Sequence, residues 1–138
     1  MLKGKCINAQ LINALAHCGH GDKVLICDGN YPVDSCTNEN TEKIYLQLTS
    51  GIPNVTEVLR VLVDSINIEQ SQVMIPDEGE EEPSIFSEFR EIFLNKIELN
   101  ELGRYKFYDE AKKEDIRVAI ATGEKRVFSN ILLTVGVV

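Results

Sequence analysis

The sequence predicts an α/β fold: one domain over residues 1–138, with a largely parallel sheet covered by helices on both faces. Three observations predict it. Short apolar runs rich in branched residues recur along the chain ("KVLIC", "KIYLQL", "SQVMI", "VAIAT", "ILLTVGVV"). Segments with apolar residues at helical spacing stand between several of them. That alternation is the one parallel strands with crossover helices require. A chain of 138 residues is long enough to bury one core and too short for two.

Residues 7–16 ("INAQLINALA") carry apolar side chains at helical spacing, and the glycines of "CGHGD" suit the C-cap that ends such a helix. "KVLIC" at 23–27 reads as a short buried strand. Residues 28–40 are polar and turn-forming, with Pro32 and several Asn and Asp, and read as a long functional loop. "KIYLQL" is the next strand. In residues 50–66, Asn54 is the expected N-cap and Glu57, three positions on, completes a capping box. "SQVMI" is a third strand. The acidic run "PDEGEEEPS" that follows reads as a solvated loop. "SIFSEFREIFLNKI" predicts an amphipathic helix with Ile85, Phe89, Ile92 and Phe93 on its apolar face. "RYKFYDEAKK" reads as a strand edge leading into a short helix, and "VAIAT" and "ILLTVGVV" close the sheet. An apolar final stretch implies a strand tied into the sheet or a subunit contact, hence a homo-oligomer.

Composition excludes several functions. A net charge of -8 without a basic stripe argues against nucleic acid and anionic membrane, because phosphate binding needs clustered Lys and Arg. No apolar run approaches the roughly 20 residues that span a bilayer, and "MLKGKCINAQ" lacks the apolar core of a signal peptide. Cys6, Cys18, Cys27 and Cys36 read as reduced thiols of a cytoplasmic protein, since Cys27 lies in a strand pattern and a chain of this size needs no staples. His17, Cys18 and His20 lie close in sequence, but no Cys-x-x-Cys pair supports a metal site, and none is expected.

The candidate chemistry begins in "AHCGHGDKVLICDGNYP". Gly19 and Gly21 follow a helix and precede a strand, the reverse of a dinucleotide-binding loop, and the Walker pattern is absent. Asp28 directly follows "KVLIC", at the carboxyl end of a strand, where ligands sit in open α/β sheets. Its carboxylate can accept two hydrogen bonds from neighbouring hydroxyls, as sugar recognition requires. A turn-starting aspartate has the same signature. His20 is of the residue type suited to donating or accepting a proton in general acid–base chemistry, although a histidine between glycines also reads as a capping residue. His20 and Asp28 are eight positions apart, and an extended segment of that length spans about 26 Å. They reach one ligand only if the glycine loop folds back or a second subunit contributes. No nucleophile motif such as Gly-x-Ser-x-Gly is present. Arg104, Tyr105, Tyr108 and the stretch "TGEKRVFSN" with Asn130 add a polar pocket for an uncharged, hydroxyl-rich ligand.

"GHGDKVLICDGNYP", "RYKFYDEAKK" and "ATGE...NILLTVGV" together resemble, in order and over nearly the whole chain, the family of ribose pyranases and fucose mutarotases. "SGIPNVTEVLRVLVDSI" and "LQLT" are similar to the ribose branch; "GHGD", "FYDEAKK" and "ATGE" are similar to the fucose branch. The resemblance implies an α/β fold assembled into rings, a decamer among them, with monosaccharide sites at subunit boundaries and no cofactor. It assigns the proton donor to His20 and sugar hydroxyl binding to Asp28. It gives Arg104 a substrate contact, as in the fucose branch, and puts Tyr108 where the ribose branch has histidine. The family's Tyr-x-Asn falls on "FSN", giving Phe128 and Asn130, so the tyrosine hydroxyl is missing here. The implied function is a mutarotase interconverting the anomers of L-fucose. The alternatives are a D-ribose pyranase, interconverting pyranose and furanose forms, and a non-catalytic sugar-binding accessory protein.

Overall fold

The computed structural model describes residues 1–138. In chain order the elements are α1 (Ala9–Ala16), β1 (Lys23–Cys27), β2 (Glu42–Tyr45), α2 (Val55–Leu62), β3 (Ile68–Ile75), α3 (Ile85–Ile92), β4 (Leu99–Gly103), α4 (Arg104–Ala111), β5 (Ile116–Ala121) and β6 (Ile131–Val135). The strands form one sheet in the order β2-β5-β1-β6-β3-β4. β1 pairs in parallel with β5, as do β2 with β5 and β3 with β4. β6 alone runs against both its neighbours, β1 and β3. The expected parallel α/β sheet is therefore present, with one reversed strand at its centre. No helix is long and apolar enough to cross a membrane.

Helices cover both faces, as the sequence predicts. The larger core packs Leu11, Ala14 and Leu15 of α1, Val55, Val58, Leu59 and Leu62 of α2, and Ile85, Phe86 and Phe89 of α3 onto one face. Phe107 and Ala111 of α4 cover the other, together with Tyr31 and Val33 from the segment after β1. That segment, expected as a long polar loop, is therefore partly core, and Thr37 and Thr41 are buried with it. All five residues of β6 are buried, as a central strand with both faces covered requires.

Local chemistry explains the element ends. Asn8 caps α1 by accepting a hydrogen bond from the Leu11 amide, and Asn54 and Glu57 form the expected capping box on α2. α1 stops at His17 in right-handed helical conformation rather than at a glycine cap. The glycine with a left-handed backbone is Gly21, φ 87°, which turns the chain into β1. In α3 it is Phe86, with Ile85 and Phe89, that is fully buried, while Ile92 is half-buried. The helix is only two turns long, so its stripe faces the sheet at 85, 86, 89 and the following 93, leaving 92 at the rim. "RYKFYDEA" is helical throughout; the strand is the preceding Leu99–Gly103. Two buried residues, Phe107 and Ala111, are all the apolar face that α4 has, too weak a pattern to separate from a strand edge.

Candidate functional site

Five of the six expected site residues lie at one end of the sheet, where the parallel strands finish. Asp28 leaves β1 there. β5 ends alongside, Cys27 opposite Ala121, and the Thr122 amide and hydroxyl both donate to the Cys27 carbonyl, at 3.1 and 2.7 Å. The connection between β5 and β6 then brings Phe128, Ser129 and Asn130 across the top of β1. β4 finishes at the same end, because Gly103 pairs with Ile75 at the close of β3, and Arg104 opens α4 directly after it.

Asp28 and Asn130 clamp each other. The Asp28 amide donates to Asn130 Oδ1 at 2.9 Å, and Asn130 Nδ2 donates to Asp28 Oδ2 at 3.0 Å. Asp28 Oδ2 also accepts from the Ser129 amide at 3.2 Å, and Oδ1 from the Asn30 amide at 2.9 Å. Asp28 is 3 % exposed and Asn130 likewise. Three of the roughly four acceptor positions of the carboxylate are thus filled by the protein, leaving one on Oδ1 for a ligand hydroxyl rather than two. Burial pushes the Asp28 carboxyl above its usual value, and the amides and Asn130 hold it back.

Phe128 has a left-handed backbone, φ 56°, which costs energy for a non-glycine residue, and its half-buried ring packs against the smaller core. The Arg104 guanidinium carbon lies 5.3 Å from the centre of that ring, within cation–π range. Tyr108, one turn after Arg104 on α4, packs its ring 5.5 Å from that of Tyr31. Tyr31 in turn donates its hydroxyl to the Cys36 carbonyl, and burial pushes both phenols upward. Tyr105 is 78 % exposed and takes no part. A cavity of about 320 Å³ borders Phe128 and Ser129, lined also by Arg126 and Ile85, without reaching Asp28 or Arg104.

His20 is elsewhere. It lies before β1 and Asp28 after it, and the five residues of β1 alone span about 16 Å. The glycine loop does not fold back: the Gly21 amide donates to the Val135 carbonyl at 2.9 Å, holding His20 at the far end of β6. There it borders a cavity of about 540 Å³ with Cys18, Asn67 and Val137. His17 is bonded to its own helix through Asn13. No group of three or more His, Cys, Asp or Glu side chains converges as a metal site, and all four cysteines are unpaired.

Sequence reasoning missed the residues that hold the loop. Glu124, 4 % exposed, accepts from the Arg126 amide and Nε at 3.0 Å and from Arg126 Nη2 at 2.9 Å, with the Val55 amide at 3.4 Å. Arg126 Nη1 also donates to Glu88 on α3. Burial alone would raise the Glu124 carboxyl; the arginine outweighs it and holds it below its usual value. "TGEKRVFSN" was legible as polar, but the partners Val55 and Glu88 are far away in the chain.

The class of protein defined here is a mixed α/β sheet whose strand ends carry a carboxylate–amide clamp, an arginine and an aromatic face. The chain belongs to the RbsD / FucU transport protein family, whose match runs over residues 1–138. Among similar proteins, a D-ribose pyranase of Clostridium perfringens is 31% identical over 142 residues, covering 100% of this chain and 99% of that one. Among solved structures, the fucose mutarotase of Streptococcus pneumoniae in complex with L-fucose superposes with a TM-score of 0.82 at 30% identity, covering 99% of both chains. RbsD of Bacillus subtilis complexed with D-ribose gives 0.83 at 26%, covering 100% of this chain and 99% of that one. The resemblance read from the sequence is borne out.

Proposed function

We propose that this protein is a monosaccharide mutarotase that opens and recloses the hemiacetal ring of a free sugar, with L-fucose as its substrate. The observation that carries the reading is the Asp28–Asn130 clamp, set beside Arg104 and Phe128 at the strand ends. One free lone pair on Asp28, the remaining amide proton of Asn130 and the guanidinium of Arg104 are the hydroxyl-binding groups. The face of Phe128 suits the methyl group of fucose, and Tyr108 stands where the ribose branch has histidine.

Ring opening breaks the bond between the anomeric carbon and the ring oxygen. The ring oxygen gains a proton, the anomeric hydroxyl loses one, and reclosure on the other face gives the other anomer. His20 is the proton donor. Since it sits at the opposite end of β1 from Asp28, a second copy of the chain supplies it, and the working unit is a ring with sites at subunit boundaries. Exposed Tyr45, Leu48, Ile52, Val127 and Val137 offer apolar surface for such contacts. Water or Tyr108 receives the second proton. No cofactor enters the scheme, and the free thiols suit a cytoplasmic compartment.

D-ribose is the second reading, favoured by the ribose pyranase and the ribose-bound structure among the similar proteins. Saturation-transfer NMR on L-fucose and D-ribose in parallel tests both. Accelerated exchange of fucose anomers supports the first reading. Acceleration confined to ribose ring forms replaces it with the second, and binding without exchange makes the protein a sugar-binding accessory.

A further inference from the structure

We propose that Glu69 is a positioning residue that fixes the tautomer and direction of the His20 imidazole, so that Nδ1 is the nitrogen that exchanges protons with the substrate. The inference rests on the role of His20 given above and deepens it. His20 Nε2 lies 3.1 and 3.3 Å from the two carboxylate oxygens of Glu69. A carboxylate at neutral pH only accepts, so the nitrogen facing it carries the proton. In the neutral ring Nδ1 is then the lone-pair nitrogen, and in the charged ring it is the one free to donate.

Three separate backbone features bring about this contact. Glu69 is the extra residue of a β-bulge: β3 pairs Ile68 with Val135 and Gln70 with Thr134, leaving 69 without a partner on β6. Such a bulge re-aims a side chain, here across the end of β6. At that end the residue is Gly136, where a Cβ would stand 3.1 Å from Glu69 Cβ and 3.5 Å from its Oε2. On the other side, the bond from Gly21 to Val135 holds the His20 loop against the same strand end. Stability does not explain the arrangement. The side chains are 60% and 38% exposed, and an ion pair so exposed is worth at most about 1 kcal/mol. Flanked by two glycines, the imidazole has Glu69 as its hydrogen-bonding partner, which plays the part a carboxylate plays behind a catalytic histidine elsewhere.

The test uses the assembled protein with ¹⁵N-histidine and sugar-exchange NMR. The parent is expected to show His20 as the Nε2–H tautomer. Glu69→Gln, whose amide oxygen still accepts, keeps that tautomer and stays within about threefold of parental exchange. Glu69→Ala loses the tautomer preference and lowers kcat about 10- to 100-fold with KM little changed, the range a misplaced group costs. Gly136→Ala is expected to do the same with Glu69 intact. An unchanged tautomer in Glu69→Ala overturns the proposal, and so does a changed tautomer with parental exchange. If His20→Ala itself exchanges sugar at the parental rate, the role of His20 fails and the proposal with it, a result that the tautomer spectra keep distinct from failure of the pair.

Discussion

At Asp28 burial and hydrogen bonding pull in opposite directions, and burial wins: its carboxyl titrates above the usual value. An acid whose pKa is raised on folding binds its proton more tightly in the folded state, so its contribution to stability grows as pH falls from that raised value toward 3.8. The parent should therefore gain thermal stability relative to Asp28→Asn as pH is lowered through that window, read by melting curves. On the proposed function, the same variant puts an amide N–H donor in place of a carboxylate lone pair that accepts from the substrate. Loss of a hydrogen bond to a charged acceptor, about 1.5–3 kcal/mol, corresponds to roughly 10- to 150-fold, so sugar exchange should fall by about that factor. Phe128 gives the opposite expectation. Phe128→Tyr keeps the ring over Arg104 and restores a hydroxyl. A neutral hydrogen bond worth about 0.5–1.5 kcal/mol predicts exchange roughly 2- to 13-fold faster. A slower tyrosine variant would mean that the pocket is shaped around phenylalanine.

Among the elements, the connection from β5 to β6 has the most to lose, because it carries Phe128, Ser129 and Asn130 and is held by Glu124 and Arg126. The Glu124 carboxyl lies below its usual value, so its contribution is present above the unfolded value near 4.5 and is lost as pH falls through the folded one. Glu124→Gln should flatten the acid limb of melting temperature against pH. Arg126→Ala should raise KM through a looser loop while α2 and α3 stay folded by circular dichroism. Legibility follows range along the chain. The capping box of α2 and the Ile85–Phe89 spacing of α3 were readable because their partners lie three or four residues apart. Asp28 was readable because a strand end is a local position. The hold of Arg126 on Glu88, and of Glu69 on His20, joins residues 38 and 49 positions apart. Those contacts are created by helix packing and by a bulge, which leave no mark on spacing. α4 was misread because its stripe is two residues wide.

For the whole molecule the decisive fact is that His20 and Asp28 occupy opposite ends of one sheet. The sequence already posed the distance between them; the tether from Gly21 to Val135 removes the option of a folded-back loop. If one copy gives Asp28 and the next gives His20, two inactive variants should complement each other. His20→Ala and Asp28→Ala, unfolded together and reassembled in equal amounts, should recover about a quarter of parental exchange, the share of boundaries that join two intact halves in a random head-to-tail ring. Each variant alone should stay inactive. No recovery, with mixed assembly verified by mass spectrometry, would place both residues in separate sites. The strand order itself was not legible: alternation of strands and helices predicted parallel pairing, while the reversal of β6 depends on which gap in the sheet it enters.

That gap has a consequence for how the sheet closes. β6 is the last strand in the chain and occupies the middle of the sheet, between β1 and β3. Until it arrives, β2-β5-β1 and β3-β4 are two separate half-sheets, each with an unpaired apolar edge open to other chains. β6 is the wedge that joins them, so a chain in which it has not yet docked is open to aggregation. Docking of β6 onto β1 and β3 depends on pairings far apart in sequence, which makes it slow. A chain cut before Ile131, and so lacking β6, should be digested by protease along its whole length, whereas the chain that includes β6 should be protected.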